Sequence, residues 1–353
     1  MNAPVITALA TWVPDAVPLS QWYDIEKRLR LIEHPGWNAW MTSWQPDYKR
    51  YLETYWNAWN DGPVPGEHGL TGPGMVPVET GTGLSGLAAK VANTLCAARA
   101  PDAPAVDIVM FCHSSLDEHV STTTAGRLRA VAGTPCFPFS VSQQQGVSVF
   151  TALRLAADLF IAEPEVCTIL IIAAEKWCPP FSRWAAPHIL QGDAAGALLV
   201  ERASEAARGL RLVDASTRNV APLAASQLQS RRAVESAWAP ALISMIGEML
   251  MRHGHRLNEV DEVVGHLGSP LLTSAVCKTL GRPDTGLPHQ HHAHLGTSES
   301  IVRLAQTLSV TALPQQAVIL MWGFGLGGYV GGALLEARGA PFVYVREDAR
   351  CLS

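Results

Sequence analysis

GDAAGALLVE (Gly192–Glu201) comes back later in the chain as GLGGYVGGALLE (Gly325–Glu336). A second pair stands in the same order: VDIVMFCHSS (Val106–Ser115) and VDEVVGHLGS (Val260–Ser269). Each is an acidic residue, an apolar strand, then histidine and small residues. Paired motifs of this kind predict an α/β chain of two related halves, which we place at residues 1–205 and 206–353.

Short apolar runs alternate with helical spacing over most of the length. Asp107–Phe111 and Thr168–Ala174 are largely apolar, as central strands are. Between them, Gly146–Ala162 carries Val149, Leu153, Ala156 and Phe160 at helical spacing. Pro240–Arg252 predicts an amphipathic helix with the proline in its first turn. A strand over Val260–Val264, a helix over Pro270–Leu280 and a strand over Ala317–Trp322 follow.

The 353 residues are 48% hydrophobic and 16% charged, with a net charge of −5. That balance fits a globular protein with a large core and argues against a nucleic-acid surface. Seven scattered cysteines without CxxC spacing fit reduced, mostly buried thiols. The opening MNAPVITALATWVPDA has no basic leader region, and no apolar run reaches membrane-spanning length. A cytoplasmic protein with no membrane partner is the expectation.

Trp37–Trp59 holds five of the eleven tryptophans and three of the six tyrosines, inside an insertion of about residues 30–80. Surface helices packed by aromatic spacing, a lid over an acyl tunnel and a docking surface all fit it. GFGLGG (Gly323–Gly328) has the form GxGxxG, but YVGGALLEAR after it reads as a strand where a dinucleotide site needs a helix. No cofactor is expected.

Seven stations in order carry a likeness to a known family. They are VITALATWVPDAVPLSQW, VDIVMFCHSSLDEHVSTTTAGRLRAVAGT, FSVSQQQGVSVFTALRLAADLF, GDAAGALLVE, VVGHLGSPLLTSAVCKTLG, HLGTSES and WGFGLGGYVGGALLE. Together they resemble the ketoacyl-acyl-carrier-protein synthase III family of the thiolase fold. The resemblance implies a thiolase-like five-layered α/β/α/β/α fold. It also implies a homodimer or a heterodimer with a paralogue, and acyl thioesters of acyl-carrier-protein or CoA as substrates. The family's CoA-binding WIxxRxGI-like segment has no counterpart, which favours a carrier-protein thioester.

The same resemblance implies a site. In the family a cysteine at a strand-to-helix turn takes the acyl group, its pKa lowered by the helix N-terminus. A His and an Asn stabilise the enolate formed when a malonyl thioester loses carbon dioxide. FSVSQQQGVSVFTALRLAADL (Phe139–Leu159) is the matching turn. Aligned on FSV, Gln145 stands at the cysteine; aligned on the helix, Gly146 or Val147 does. No register supplies a cysteine between Val141 and Val149.

His266 matches the family His, and Gly296 falls on the family Asn. Gln145, or failing that Gln144, is expected to share a pocket with His266. His294, from the cluster His289, His291, His292 and His294, is a candidate for the lost donor. Ser148 and Ser142 flank the glutamines, and Ser148 paired with His266 is a candidate hydroxyl nucleophile. The histidine cluster lacks the cysteine or carboxylate pattern of a zinc site, so no metal is expected.

Three readings of function follow. The first is an enzyme of acyl transfer or malonyl decarboxylation that forms no cysteine acyl-enzyme. In its transfer form, His266 is the general base for a hydroxyl or amine acceptor. The second is a silent subunit paired with a cysteine-bearing paralogue. The third is a ligand-binding module built on the acyl tunnel, for which no residue speaks.

Overall fold

The structure is a computed structural model. It describes residues 4–18, 21, 74–116, 123–133, 135–177, 183–186, 189–202, 208–220, 231–266, 270–282, 293–325 and 327–346. The Trp-rich stretch, His289, His291 and His292, and the 205/206 boundary lie outside the described residues.

The strands are β1 (Pro4–Trp12), β2 (Ala16–Pro18), β3 (Met75–Pro77), β4 (Ile108–His113), β5 (Phe137–Ser142), β6 (Thr168–Glu175) and β7 (Trp184–Ala186). They continue as β8 (Ile189–Leu190), β9 (Ala194–Arg202), β10 (Leu210–Asn219), β11 (Glu262–Val264), β12 (Val318–Gly325), β13 (Tyr329–Ala337) and β14 (Phe342–Arg346). The helices are α1 (Leu84–Ala98), α2 (Thr124–Ala132), α3 (Ser148–Ala162), α4 (Arg231–Arg252), α5 (Pro270–Thr279) and α6 (Glu299–Val310).

Ten strands form one sheet in the order β11-β12-β13-β10-β1-β9-β6-β4-β5, with β14 beside β1. It is one pattern used twice. β4 runs parallel to β6, which is antiparallel to β9, which is antiparallel to β1. β11 likewise runs parallel to β12, then β13 and β10 follow antiparallel. The two arrays meet through a short pairing, Val5 opposite Arg211 and Ile6 opposite Leu210.

Helices α3 and α6 lie between the arrays, and their Phe150, Leu153, Ile301 and Leu304 share one core with β1, β6, β12 and β13. α1 and α2 cover the outer face of the first array, and α4 and α5 cover that of the second. The result is the layering α/β/α/β/α.

The echoed motifs have matching structural roles. Asp107 Oδ2 accepts the N–H groups of Cys167 and Thr168 at 2.8 and 2.9 Å and ties β4 to the start of β6. Asp261 Oδ2 accepts the Val318 N–H at 2.8 Å and ties β11 to β12. Counted back from Glu201 and Glu336, Gly196 and Gly331 occupy the same place in their motif. A Cβ on Gly196 would come within 2.8 Å of Ile301 on α6, and one on Gly331 within 2.8 Å of Phe150 on α3. Each glycine thus lets the central helix of the other half approach its strand.

Two local expectations need correction. Pro240 lies inside α4, which starts at Arg231, rather than in its first turn. The helix absorbs the lost donor because Leu242, Met245, Ile246 and Met249 beyond it are buried on the second array. Residues Gln145–Ala162 do reach membrane-spanning length and apolarity. Val149, Phe150, Leu153, Ala156 and Phe160 are nevertheless buried in the protein core. The GxGxxG segment is a hairpin, with β13 antiparallel to β12, so no helix opens where a pyrophosphate would need one.

Candidate active site

Each half presents a turn leading straight into a central helix. Gln145–Val147 precedes α3, and Gly296–Ser298 precedes α6; both are single 3-10 turns. Their first residues share the left-handed region, Gln145 at φ 50° and Gly296 at φ 58°. Glycine adopts that conformation freely, whereas in glutamine it stores on the order of 1–3 kcal/mol of strain, of the kind concentrated at functional sites. Gln143 is also left-handed, at φ 68°.

His266, at the end of β11, packs against the first of these turns. A Cβ on Gly146 would lie 2.2 Å from His266 Cε1, and one on Gly323 would lie 2.3 Å from its Nε2. The two glycines therefore form the crevice that holds the ring's Cε1–Nε2 edge. Phe324 and Trp322 pack around it, with ring centroids at 5.5 and 6.4 Å.

The hydrogen bonds assign the ring protons. His294 Nδ1 accepts the Gly296 N–H at 2.9 Å, so the His294 hydrogen is on Nε2. That Nε2 lies 3.1 Å from His266 Nδ1 and 3.2 Å from Glu299 Oε2. His266 Nδ1 also receives the Phe324 N–H at 3.3 Å. With two donors converging on Nδ1, the His266 hydrogen is on Nε2. This buried N–H has no hydrogen-bond partner among the described residues.

Burial holds the His266 pKa well below the usual histidine value, with His294 and Arg303 adding to the effect. Burial lowers His294 to about 4. Both shifts favour neutral rings, and Glu299 Oε2 stands 3.2 Å from His294 Nε2.

His266, His294 and Glu299 have the close spacing of a three-donor metal site. The ring nitrogens that face one another already share the His294 hydrogen, and the arrangement is a hydrogen-bonded chain rather than an open ligand set.

The other predicted residues are placed as follows. Gln144 Oε1 accepts the Thr151 hydroxyl at 2.6 Å on α3 and makes no hydrogen bond to His266. Gln145 is half-buried at the head of the turn. Ser148 is fully buried and its Oγ has no partner, so the Ser148–His266 pair does not form. His294 stands against Nδ1 of His266, on the side away from the Nε2 hydrogen, rather than beside it as a second donor. Gly296 faces Glu175, whose Cγ would lie 2.5 Å from a Cβ at that position.

Sequence reasoning missed the carboxylates that build this site. Glu175 is buried and accepts the N–H groups of Ser114, Ser115 and Thr297, joining the ends of β4 and β6 to the second turn. Asp193 accepts the N–H groups of Trp177 and Glu79 and a bidentate pair from Arg183 at 2.8 Å each. Next to it, Gly192 donates to the His294 carbonyl at 3.0 Å, which anchors the histidine segment. Glu175 had a signal, a lone acid closing the apolar run TILIIAAE; Glu299 had none. Cys112, beside the first turn, is a buried thiol whose pKa is pushed far up by burial, and then by Glu175, which disfavours the reactive thiolate.

No protein-family model matches the chain, and no curated protein sequence matches it. Solved structures do match over nearly its whole length, and the fold is the thiolase-like one of ketoacyl synthases III. ChlB3, described as an acyltransferase, is 18% identical with a TM-score of 0.69, covering 96% of this chain and 98% of that one. The 3-oxoacyl-(acyl carrier protein) synthase III of Pseudomonas aeruginosa PAO1 is 16% identical with a TM-score of 0.66, covering 95% and 98%. OleA of Xanthomonas campestris is 15% identical with a TM-score of 0.67, covering 95% and 98%.

Proposed function

We propose that this chain is an enzyme acting on acyl thioesters, and that it decarboxylates a malonyl-type thioester without forming an acyl-enzyme on cysteine. One observation carries the reading. His266 offers a buried Nε2–H that no described residue accepts, beside a strained turn that bears glutamine and glycine where a nucleophile would stand. A thioester carbonyl oxygen that accepts this N–H becomes a better electron sink. The bond from Cα to the free carboxylate then breaks, and its electron pair forms the enolate. Carbon dioxide leaves, and a proton from water completes the acetyl thioester.

The same tautomer disfavours His266 as a general base. Taking a proton at Nε2 needs a lone pair there, which would turn Nδ1–H toward two donors. Transfer to a hydroxyl or amine is therefore the weaker reading. A carrier-protein thioester is the preferred substrate, with CoA second. The test is 13C-labelled malonyl carrier protein and malonyl-CoA, followed by the release of labelled carbon dioxide. Release that depends on the chain supports the reading. A chain that leaves both thioesters intact does not decarboxylate, and the reading fails.

Dimerisation is part of the proposal. β5 ends the ten-stranded sheet, and Phe137 on it is 66% exposed with Phe139 at 6.1 Å. An edge left unpaired among the described residues and carrying exposed aromatics is a surface suited to pairing with another strand. Light scattering at micromolar concentration should give twice the mass of the 37.9 kDa chain. A monomer there, and also in the presence of a cysteine-bearing paralogue, overturns this part.

A further inference from the structure

We infer that Glu299 and His294 act in series as positioning residues that hold His266 in the tautomer with its hydrogen on Nε2. The inference deepens the reading of His266 as a donor to substrate, but it concerns the ring itself and is tested without substrate.

The chain of constraint starts at α6. Glu299 is the first residue of that helix and is fully buried. Its Oε2 accepts the Leu295 N–H at 2.9 Å, which fixes the carboxylate beneath the His294 ring, 3.2 Å from Nε2. At the opposite side of that ring, the Gly296 N–H donates to Nδ1 at 2.9 Å. The alternative His294 tautomer would set Nδ1–H against an N–H and an Nε2 lone pair against a carboxylate oxygen. Both contacts would turn from attractive to repulsive, so His294 is fixed as an Nε2–H donor.

That hydrogen is given to His266 Nδ1, while the Glu299 carboxylate oxygen stands 3.2 Å from the donating His294 Nε2 and favours an N–H there. His266 meets that donor at 3.1 Å and meets the Phe324 N–H at 3.3 Å. The Phe324 contact is the longer of the two, and His294 is the only side chain that donates to Nδ1 among the described residues. Without His294, one long backbone contact remains to decide between the His266 tautomers. The two neutral tautomers of a free imidazole lie close in energy, so a single donor at this site is worth about as much as the choice itself.

This assigns roles by geometry. In the proposed reaction His266 touches the reacting oxygen. His294 and Glu299 do not, and they act through it. It also accounts for a polar chain of three side chains in a buried site, where each unsatisfied group would otherwise be costly.

The test is magnetic resonance of the full chain with 15N-labelled histidine rings. His266 and His294 are assigned from His266→Gln and His294→Gln forms. At neutral pH the unaltered chain is expected to show both rings protonated on Nε2 alone. In His294→Ala, the ratio of Nδ1- to Nε2-protonated His266 should rise about fivefold, the equivalent of one lost hydrogen bond of roughly 1 kcal/mol. His294→Gln restores an N–H donor and should return His266 toward Nε2–H. A His266 ring protonated on Nδ1 in the unaltered chain overturns the inference. So does a His294→Ala form with native circular dichroism whose His266 remains wholly Nε2-protonated. Should His294→Ala fail to fold, the unaltered chain and the His294→Gln form still decide. If the tautomers are as stated and malonyl thioesters are untouched, the proposed reaction fails while this assignment stands.

Discussion

His266→Ala is expected to lower the rate of malonyl-thioester decarboxylation by roughly 10²–10³, about 2.7–4 kcal/mol of transition-state stabilisation. The reason is local. The Nε2–H has no hydrogen-bond acceptor among the described residues, and Gln144 is held through its Oε1 by Thr151. Gly296, at the head of the second turn, carries no side chain and faces Glu175. A donor to the developing oxyanion acts in the transition state, so the loss should fall on kcat and kcat/KM together. Steady-state kinetics of the variant check this. A variant that keeps its rate would move the chemistry away from His266.

Asp193→Ala is expected to destabilise the fold by about 3–5 kcal/mol, the cost of removing one partner of a buried ion pair. Asp193 and Arg183 are 0% and 3% exposed in their side chains. The same carboxylate accepts the Trp177 and Glu79 N–H groups, so three separate segments lose an acceptor at once. Urea unfolding should show a lower midpoint with an unchanged slope. A shift below about 1 kcal/mol would mean that water or Glu79 takes over the guanidinium.

The fold was legible because its two halves repeat short, chemically specific devices. An aspartate ahead of an apolar run marked β4 and β11, and in each half it receives the N–H that opens the next parallel strand. The glycines of GDAAGALLVE and GLGGYVGGALLE marked the strands that lie against α6 and α3. The turn at Gln145 could be found because a strand pattern changed to helical spacing within a few residues. Its register could not be fixed, since FSV and ALRLAAD give different offsets. The left-handed φ shared by Gln145 and Gly296 is a backbone property that carries no sequence signal for glutamine.

The His294–Glu299–His266 chain was only half visible. His294 was one of four clustered histidines, and nothing in their spacing separates one that packs on His266 from its neighbours. Its orientation depends on the Gly296 N–H and on Gly192, which belong to two different segments. Long-range hydrogen bonds of this kind have no period. Pro240 misled for the opposite reason: a local rule about helix starts gave way to burial of the helix beyond it.

The most direct measurement is the intact mass of both proteins after incubation with malonyl-loaded carrier protein. The carrier is predicted to lose the mass of carbon dioxide while this chain keeps its own mass. The Gln145→Cys form, with a thiol at the head of the turn, provides the comparison in which an acyl group is gained. An acyl adduct on the unaltered chain would contradict a reaction without an acyl-enzyme, and an unchanged carrier would contradict the decarboxylation.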